Sequence, residues 1–152
     1  PAMPKFSAPE LTISPPRSPR VRLGGYVHLP RLLDKARSTI AGVNGDYNYD
    51  CPMDHHFFAF TGLKSGDLLK QVKAGKTDGA LLKWVNANSK PRHTPPAIAA
   101  WSAWMEQRTP GNIDQREWFN DLQRKLAPER DDIVTWFDLF DLDDCASFGG
   151  NP

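Results

Sequence analysis

Apolar residues recur at helical spacing in seven short stretches of the chain, each bounded by proline, glycine or a helix-capping residue. Proline at a first helical position and glycine just past a helix end are the usual start and stop signals. No sustained strand pattern accompanies them. The sequence therefore predicts an all-α fold, a compact bundle of about six to seven short helices. The stretches begin at or near Pro30, Pro52, Ser65, Thr77, Thr94, Asp114 and Asp131 or Asp132.

The first part of the chain lacks this periodicity and is rich in proline. The five prolines that follow the first residue are Pro4, Pro9, Pro15, Pro16 and Pro19. They exclude a helix over residues 4–19 and disfavour a central strand. We expect an extended, proline- and arginine-rich arm over residues 1–29 and a single helical domain over residues 30–152. Pro1 and Ala2 are expected to be a cloning or protease scar ahead of Met3.

Charge is unevenly distributed along the chain. Residues 1–40 carry seven basic and two acidic side chains, whereas residues 101–152 carry five basic and eleven acidic ones. The two ends are expected to neutralise each other, within one molecule or across a homodimer. The arginines near the start would then dock on the acidic end; these groups are Arg17, Arg20 and Arg22, and Asp138, Asp141, Asp143 and Asp144.

Several classes of protein are excluded by what the sequence lacks. No apolar run approaches the roughly 18 residues needed to span a bilayer, and no secretory leader is visible. The two cysteines, Cys51 and Cys145, do not form a disulfide framework or a repeated zinc spacing. A helix-turn-helix outline around Gly75 carries too little positive charge for a nucleic-acid surface. We expect a soluble cytoplasmic protein with no membrane and no nucleic-acid partner.

The densest group of chemically active residues lies where the second helix is expected to begin. Cys51 would cap that helix, a position at which backbone N–H groups favour a thiolate, and His55 follows four residues later. Two chemistries remain open: thiol catalysis by Cys51 with His55, or a metal site. Neither set is complete, although His28, His93 or Asp46 could be added by the fold. The metal-ligand candidates are Cys51, Asp54, His55 and His56.

Aromatic residues offer a different kind of site. Trp101 and Trp104 flank two small residues that would admit a flat ligand between helices. Two classes of function follow. One is a binding or interaction module for a small molecule or a protein, without catalysis. The other is a small enzyme or metal-binding protein centred on Cys51, His55 and His56; no cofactor is indicated for either. The candidate ligand-binding residues are Trp101, Trp104, Arg20, Arg22 and Tyr26.

Four segments together resemble a family of short bacterial proteins catalogued as a domain of unknown function. They are Arg17 to Gly25, Cys51 to Asp54, Ala100 to Arg108, and the closing Trp136 to Leu139 with Phe148 to Gly150. The resemblance extends over almost the whole chain from about Leu11. It implies a cytoplasmic, single-domain bacterial protein, and it carries over no activity, ligand or catalytic residue.

Overall fold

The computed structural model describes residues 7–152, which form seven helices and one small antiparallel sheet. A mostly helical fold is therefore confirmed, with the sheet as the correction to a purely α-helical one. In the sheet, Arg22 pairs with Val27 and Leu23 with Tyr26. The elements are β1 (Arg22–Leu23), β2 (Tyr26–Val27), α1 (Leu29–Ala41), α2 (Pro52–Thr61), α3 (Ser65–Lys73), α4 (Asp78–Asn88), α5 (Pro95–Gln107), α6 (Ile113–Leu126) and α7 (Trp136–Ser147).

The sheet escaped prediction because each strand has only two residues. Two residues cannot display the alternation that marks a strand in a sequence. The tight turn expected at Gly24 and Gly25 is present, and both glycines have positive φ angles, of 59° and 85°. Such a turn matches the twist of a hairpin and joins the two strands.

Local capping signals set most helix starts. Pro52 is the first residue of α2, as predicted. Thr77 and Thr94 cap α4 and α5, also as predicted. Each threonine hydroxyl accepts the backbone N–H three residues on, at 3.2 and 3.3 Å. These bonds satisfy N–H groups that have no partner inside the helix.

The predicted starts of α3 and α6 require small corrections. Ser65 is the first residue of α3 rather than its cap, which is Lys64. Asn112, and not Asp114, caps α6. The Asn112 side-chain oxygen accepts the backbone N–H of Gln115 at 2.8 Å. A capping residue two positions earlier therefore extends the helix towards its N-terminus.

The start of α7 was predicted too early. Thr135, rather than Asp131 or Asp132, caps this helix. The Thr135 hydroxyl accepts the Asp138 N–H at 3.1 Å, while the Asp138 carboxylate accepts the Thr135 N–H at 2.9 Å. This reciprocal capping box satisfies two backbone donors at once, which a single aspartate cap does not.

Residues 7–21 contain neither helix nor strand and lie against the body of the protein. Leu11 is buried, and its N–H donates to the Val43 carbonyl at 2.9 Å. The expected arm begins within residues 1–6, which lie outside the described residues. The expected scar at Pro1 and Ala2 and the expected start at Met3 lie there as well. The arm as a whole and the division at residue 29 therefore stay predictions.

Arg17, Arg20 and Arg22 all form ion pairs with acidic side chains, but only Arg20 pairs with the predicted aspartates near the end of the chain. Arg20 pairs with Asp141 at 2.9 Å and also with Asp138. Arg17 instead bonds carboxylates of α1 and α4, and Arg22 bonds α5. Those partners are Asp34 and Asp78 for Arg17, and Glu106 for Arg22.

An aromatic cluster fills the core between the sheet, α2 and α5. Tyr26 and Trp101 are buried there, and Trp101 stacks on Phe60 with ring centres 5.1 Å apart. Ser102 donates to the Gly25 carbonyl at 2.6 Å and so ties α5 to the hairpin. The small residue beside Trp101 thus makes room for the hairpin backbone.

No helix formed by residues 7–152 combines the length and the apolar character needed to cross a membrane. The longest, α6, has 14 residues. A crossing takes about 20 predominantly apolar residues.

Gly62→Ala is expected to lower the free energy of unfolding by about 1–3 kcal/mol. Gly62 has φ of 69°, and an added Cβ would overlap the Lys90 carbonyl oxygen. Gly66→Ala is the matched control, since its Cβ would meet no atom within 4 Å. That change is expected to stabilise the protein by up to about 1 kcal/mol, because alanine favours a helix. Urea unfolding of both variants measures the difference; equal midpoints would contradict it.

Candidate functional site

A cavity of about 600 Å³ lies between α1, the loop of residues 42–51 and the end of α7. We refer to it as the α1–α7 cavity. Its size falls within the range of about 300–1,000 Å³ typical of small-molecule sites. The side chains of its wall that matter for chemistry are His28, Arg31, Lys35, Asp46, Tyr47, Cys51, Phe140, Asp143 and Phe148.

Three basic side chains enter the wall from one face of α1. His28 caps the helix, and Arg31 and Lys35 follow at intervals of three and four residues. Residues at this spacing lie above one another on a helix. All three are buried, with 1%, 6% and 3% of their surface exposed. Because a buried charge requires a partner, each position must be matched by an acceptor.

Asp54 of α2 is the acceptor for two of them. Its Oδ1 accepts from His28 Nε2 at 2.7 Å and from Lys35 Nζ at 2.8 Å. Its Oδ2 accepts from Lys35 at 2.8 Å and from the N–H groups of Asp50 and Cys51. Burial would raise the pKa of Asp54, but the hydrogen bonds from His28 and Lys35 and the charge of Lys35 outweigh it and hold that pKa below its ordinary value. Asp54 is therefore an ionised carboxylate in the interior.

His28 is left with one open nitrogen. A carboxylate only accepts, so Nε2 carries the proton and Nδ1 carries the lone pair. Nδ1 is buried and has no hydrogen-bond partner among residues 7–152. Burial lowers the pKa of His28 although Asp54 opposes this, which favours the neutral ring. His28, a residue of the cavity wall, therefore carries a buried acceptor without a partner among residues 7–152.

The backbone beside this site is strained. His28 and Asp50 both have φ of 68°, in the left-handed region that residues other than glycine rarely adopt. Each such residue costs about 1–3 kcal/mol and is held only by its surroundings. Asp54 accepts hydrogen bonds from the His28 ring and from the Asp50 N–H. The two residues with a strained backbone are therefore both bonded to Asp54.

The third basic side chain bonds α7. Arg31 donates to both carboxylate oxygens of Asp144, at 2.7 and 3.2 Å, and the Tyr47 hydroxyl donates to the same residue at 2.7 Å. The guanidinium also lies 5.4 Å from the Tyr47 ring centre and 5.6 Å from that of Phe140. Burial and the neighbouring Asp144 raise the pKa of Tyr47, so it remains a donor. This group ties the loop and α1 to α7.

The residues predicted for thiol or metal chemistry have different partners in the structure. Cys51 Sγ accepts a hydrogen bond from Lys35 at 3.3 Å, beside Asp54. His55 is mostly exposed and bonds Asp50 at 3.0 Å, while His56 packs on Trp104. Within residues 7–152 no group of three or more His, Cys, Asp or Glu side chains is placed to hold a metal ion. Cys51 is the N-cap of α2, as predicted, and its sulfur contacts Lys35 of α1. A catalytic or metal-binding role for Cys51 and His55 stays a prediction.

The predicted ligand-binding residues lie in three different surroundings. Tyr26 and Trp101 belong to the aromatic core, and Arg20 and Arg22 are engaged in ion pairs. Trp104 is half exposed, with the Arg108 guanidinium 5.3 Å from its ring centre. Their role in binding stays a prediction.

Sequence analysis missed most of the cavity wall and named His28 only as a residue the fold could add. The spacing of His28, Arg31 and Lys35 was a usable signal, since three basic residues recur at intervals that place them on one face of a helix. Their carboxylate partners carry no local signal, because they lie far away in sequence. The wall residues that were not predicted as site residues were Arg31, Lys35, Tyr47, Phe140 and Phe148. Asp144 was predicted as part of the acidic end, but not as the partner of Arg31.

A protein-family model described as "Domain of unknown function (DUF5069)" matches residues 13–146. No curated protein matches the sequence. The matched range contains the polar wall of the cavity from His28 to Asp143.

Proposed function

The chain belongs to the family described as a domain of unknown function, DUF5069, and for this member we propose a small-molecule-binding module, without catalysis, whose site is the α1–α7 cavity. The observation that carries the proposal is His28 Nδ1, a buried acceptor without a partner in the cavity wall. Buried polar atoms in folded proteins are nearly always bonded to protein, water or ligand. A ligand that donates a hydrogen bond to His28 Nδ1 would supply the missing partner.

The remainder of the wall supports the same proposal. It combines aromatic faces from Tyr47, Phe140 and Phe148 with polar and charged side chains. In ligand sites, aromatic faces supply contact area and polar groups fix the orientation of the ligand. The buried ion pairs of Arg31 and Lys35 hold the wall in place without a ligand. A site formed in advance loses little entropy on binding.

One observation favours catalysis as a second candidate function. Asp54 bonds one nitrogen of His28 and leaves the other free, which is the arrangement of a general base. The base would then be His28 and not His55. The two candidates differ in whether a bound compound is recovered unchanged after incubation, which mass spectrometry shows directly. A bacterial origin, a cytoplasmic location and a homodimer stay predictions beside either candidate.

Binding is tested by amide chemical shifts of the isotope-labelled protein. The probes are small aromatic compounds with neutral, anionic and cationic head groups at millimolar concentration. We expect shifts in residues 42–51, the first turns of α1 and the end of α7. Ser147→Trp adds bulk at the cavity wall and should abolish them, whereas Ala87→Trp, on an exposed face of α4, should not. Shifts that are the same in wild type and Ser147→Trp would refute the proposal.

A further inference from the structure

We propose that the ligand of the α1–α7 cavity is an organic amine bound as its ammonium cation. This inference rests on the proposed function and adds the class of ligand. It follows from three properties of the wall: the balance of charge, the open acceptor and the aromatic faces.

The charges around the cavity favour a cation. Both basic side chains of the wall are already neutralised, Arg31 by Asp144 and Lys35 by Asp54. The wall also contains Asp46 and Asp143, and the ion pairs formed within residues 7–152 include neither of these carboxylates. Two carboxylates therefore remain without a cation. The two basic and four acidic side chains named here sum to a formal charge of −2, which favours a ligand of positive charge.

Asp143 is the carboxylate with most to gain from a cationic ligand. It is partly buried on α7 and adjacent to Asp144. Burial and the like charge of Asp144 raise the pKa of Asp143, although Arg31 opposes them. An ammonium group in the cavity would relieve both unfavourable contributions, since an opposite charge nearby favours the ionised form.

The unpartnered nitrogen of His28 also favours an amine over an anionic ligand. His28 Nδ1 accepts, and an ammonium group has three donors and no acceptor. A carboxylate or phosphate ligand would instead be repelled twice. Its oxygen lone pairs would face the lone pair of His28 Nδ1, and its negative charge would face that of Asp143. Lys35 cannot readily turn to such an anion, because it already donates to Asp54, to Asn48 and to Cys51.

The aromatic faces suit the apolar body of an amine. The Tyr47 and Phe148 rings are nearly parallel, 9° apart in plane and 6.4 Å between centres. Phe140 adds a third ring to the wall. Aromatic faces attract cations within about 6 Å and pack against hydrocarbon. Because Arg31 already lies over the Tyr47 and Phe140 rings, these rings would pack against the aromatic or aliphatic body of the amine, with its ammonium group directed to Asp143.

The test compares three probes that share a benzene ring and differ in head group: phenethylamine, phenethyl alcohol and hydrocinnamate. Each is titrated into labelled full-length protein at neutral pH and low salt, with amide shifts as the readout. We expect phenethylamine to bind about tenfold more tightly than hydrocinnamate, with phenethyl alcohol between them. Asp143→Asn should weaken phenethylamine about fivefold and change phenethyl alcohol less than about twofold.

Asp141→Asn is the matched control, because Asp141 lies on the same helix outside the cavity wall and pairs with Arg20. It should leave phenethylamine binding unchanged. If phenethyl alcohol or hydrocinnamate binds in the cavity as tightly as phenethylamine, the inference is wrong while the proposed function stands. If none of the three shifts the cavity residues, both are wrong.

Discussion

Asp54→Ala is expected to lower the free energy of unfolding by about 3–5 kcal/mol, a large part of the roughly 5–15 kcal/mol that stabilises a typical domain. Asp54 is fully buried and accepts from His28, Lys35 and two backbone N–H groups. The alanine variant leaves the Lys35 ammonium buried with only the Asn48 carbonyl and Cys51 sulfur as partners. An uncompensated interior charge is among the most costly single defects in a fold.

A second substitution separates the charge from the loss of packing. The double variant Asp54→Ala with Lys35→Met contains no unpaired ammonium, so it should recover part of the lost stability. Asp141→Ala removes an exposed ion pair with Arg20 and should cost less than about 1 kcal/mol. Urea unfolding of all three variants provides the comparison. A cost for Asp54→Ala no larger than that for Asp141→Ala would show that the buried pair does not stabilise the fold.

The elements that the sequence predicted correctly depend on local chemistry. Pro52, Thr77 and Thr94 start their helices because the missing N–H or the capping hydroxyl acts within one turn. The same locality explains the errors. Asp131 is as good a cap in isolation as Thr135, and only the reciprocal bond with Asp138 decides between them.

The cavity depends on contacts that no sequence spacing reveals. Asp54 meets His28 across 26 positions, and Asp144 meets Arg31 across 113. Periodicity identifies which residues share a helix face, but it does not say which helix lies opposite. The sequence therefore located Asp54 in a reactive segment beside Cys51, but it did not predict the contacts of Asp54 with α1. Its contacts to His28 and Lys35 appear only when α1 and α2 are packed.

Asp144→Asn is expected to cost about 3 kcal/mol of unfolding free energy. The substitution keeps the volume of the side chain and removes the charge opposite Arg31. The buried guanidinium then retains the Arg17 carbonyl at 3.2 Å and the faces of Tyr47 and Phe140. Neutral acceptors and ring faces offset only part of the cost of burying a cation. Since this pair joins α1 to α7, urea unfolding should show the whole domain losing stability together.

The neighbouring residue on α7 is expected to behave in the opposite way. Asp143 has no cation partner among residues 7–152, and burial together with the charge of Asp144 raises its pKa, so its ionised form is disfavoured in the folded protein. Asp143→Asn should therefore leave stability unchanged or raise it by less than about 1 kcal/mol. Adjacent aspartates thus separate two roles: Asp144 holds the cavity together, and Asp143 attracts what enters it. Equal losses of stability in the two variants would contradict that division, because Asp143 would then contribute to the fold as Asp144 does.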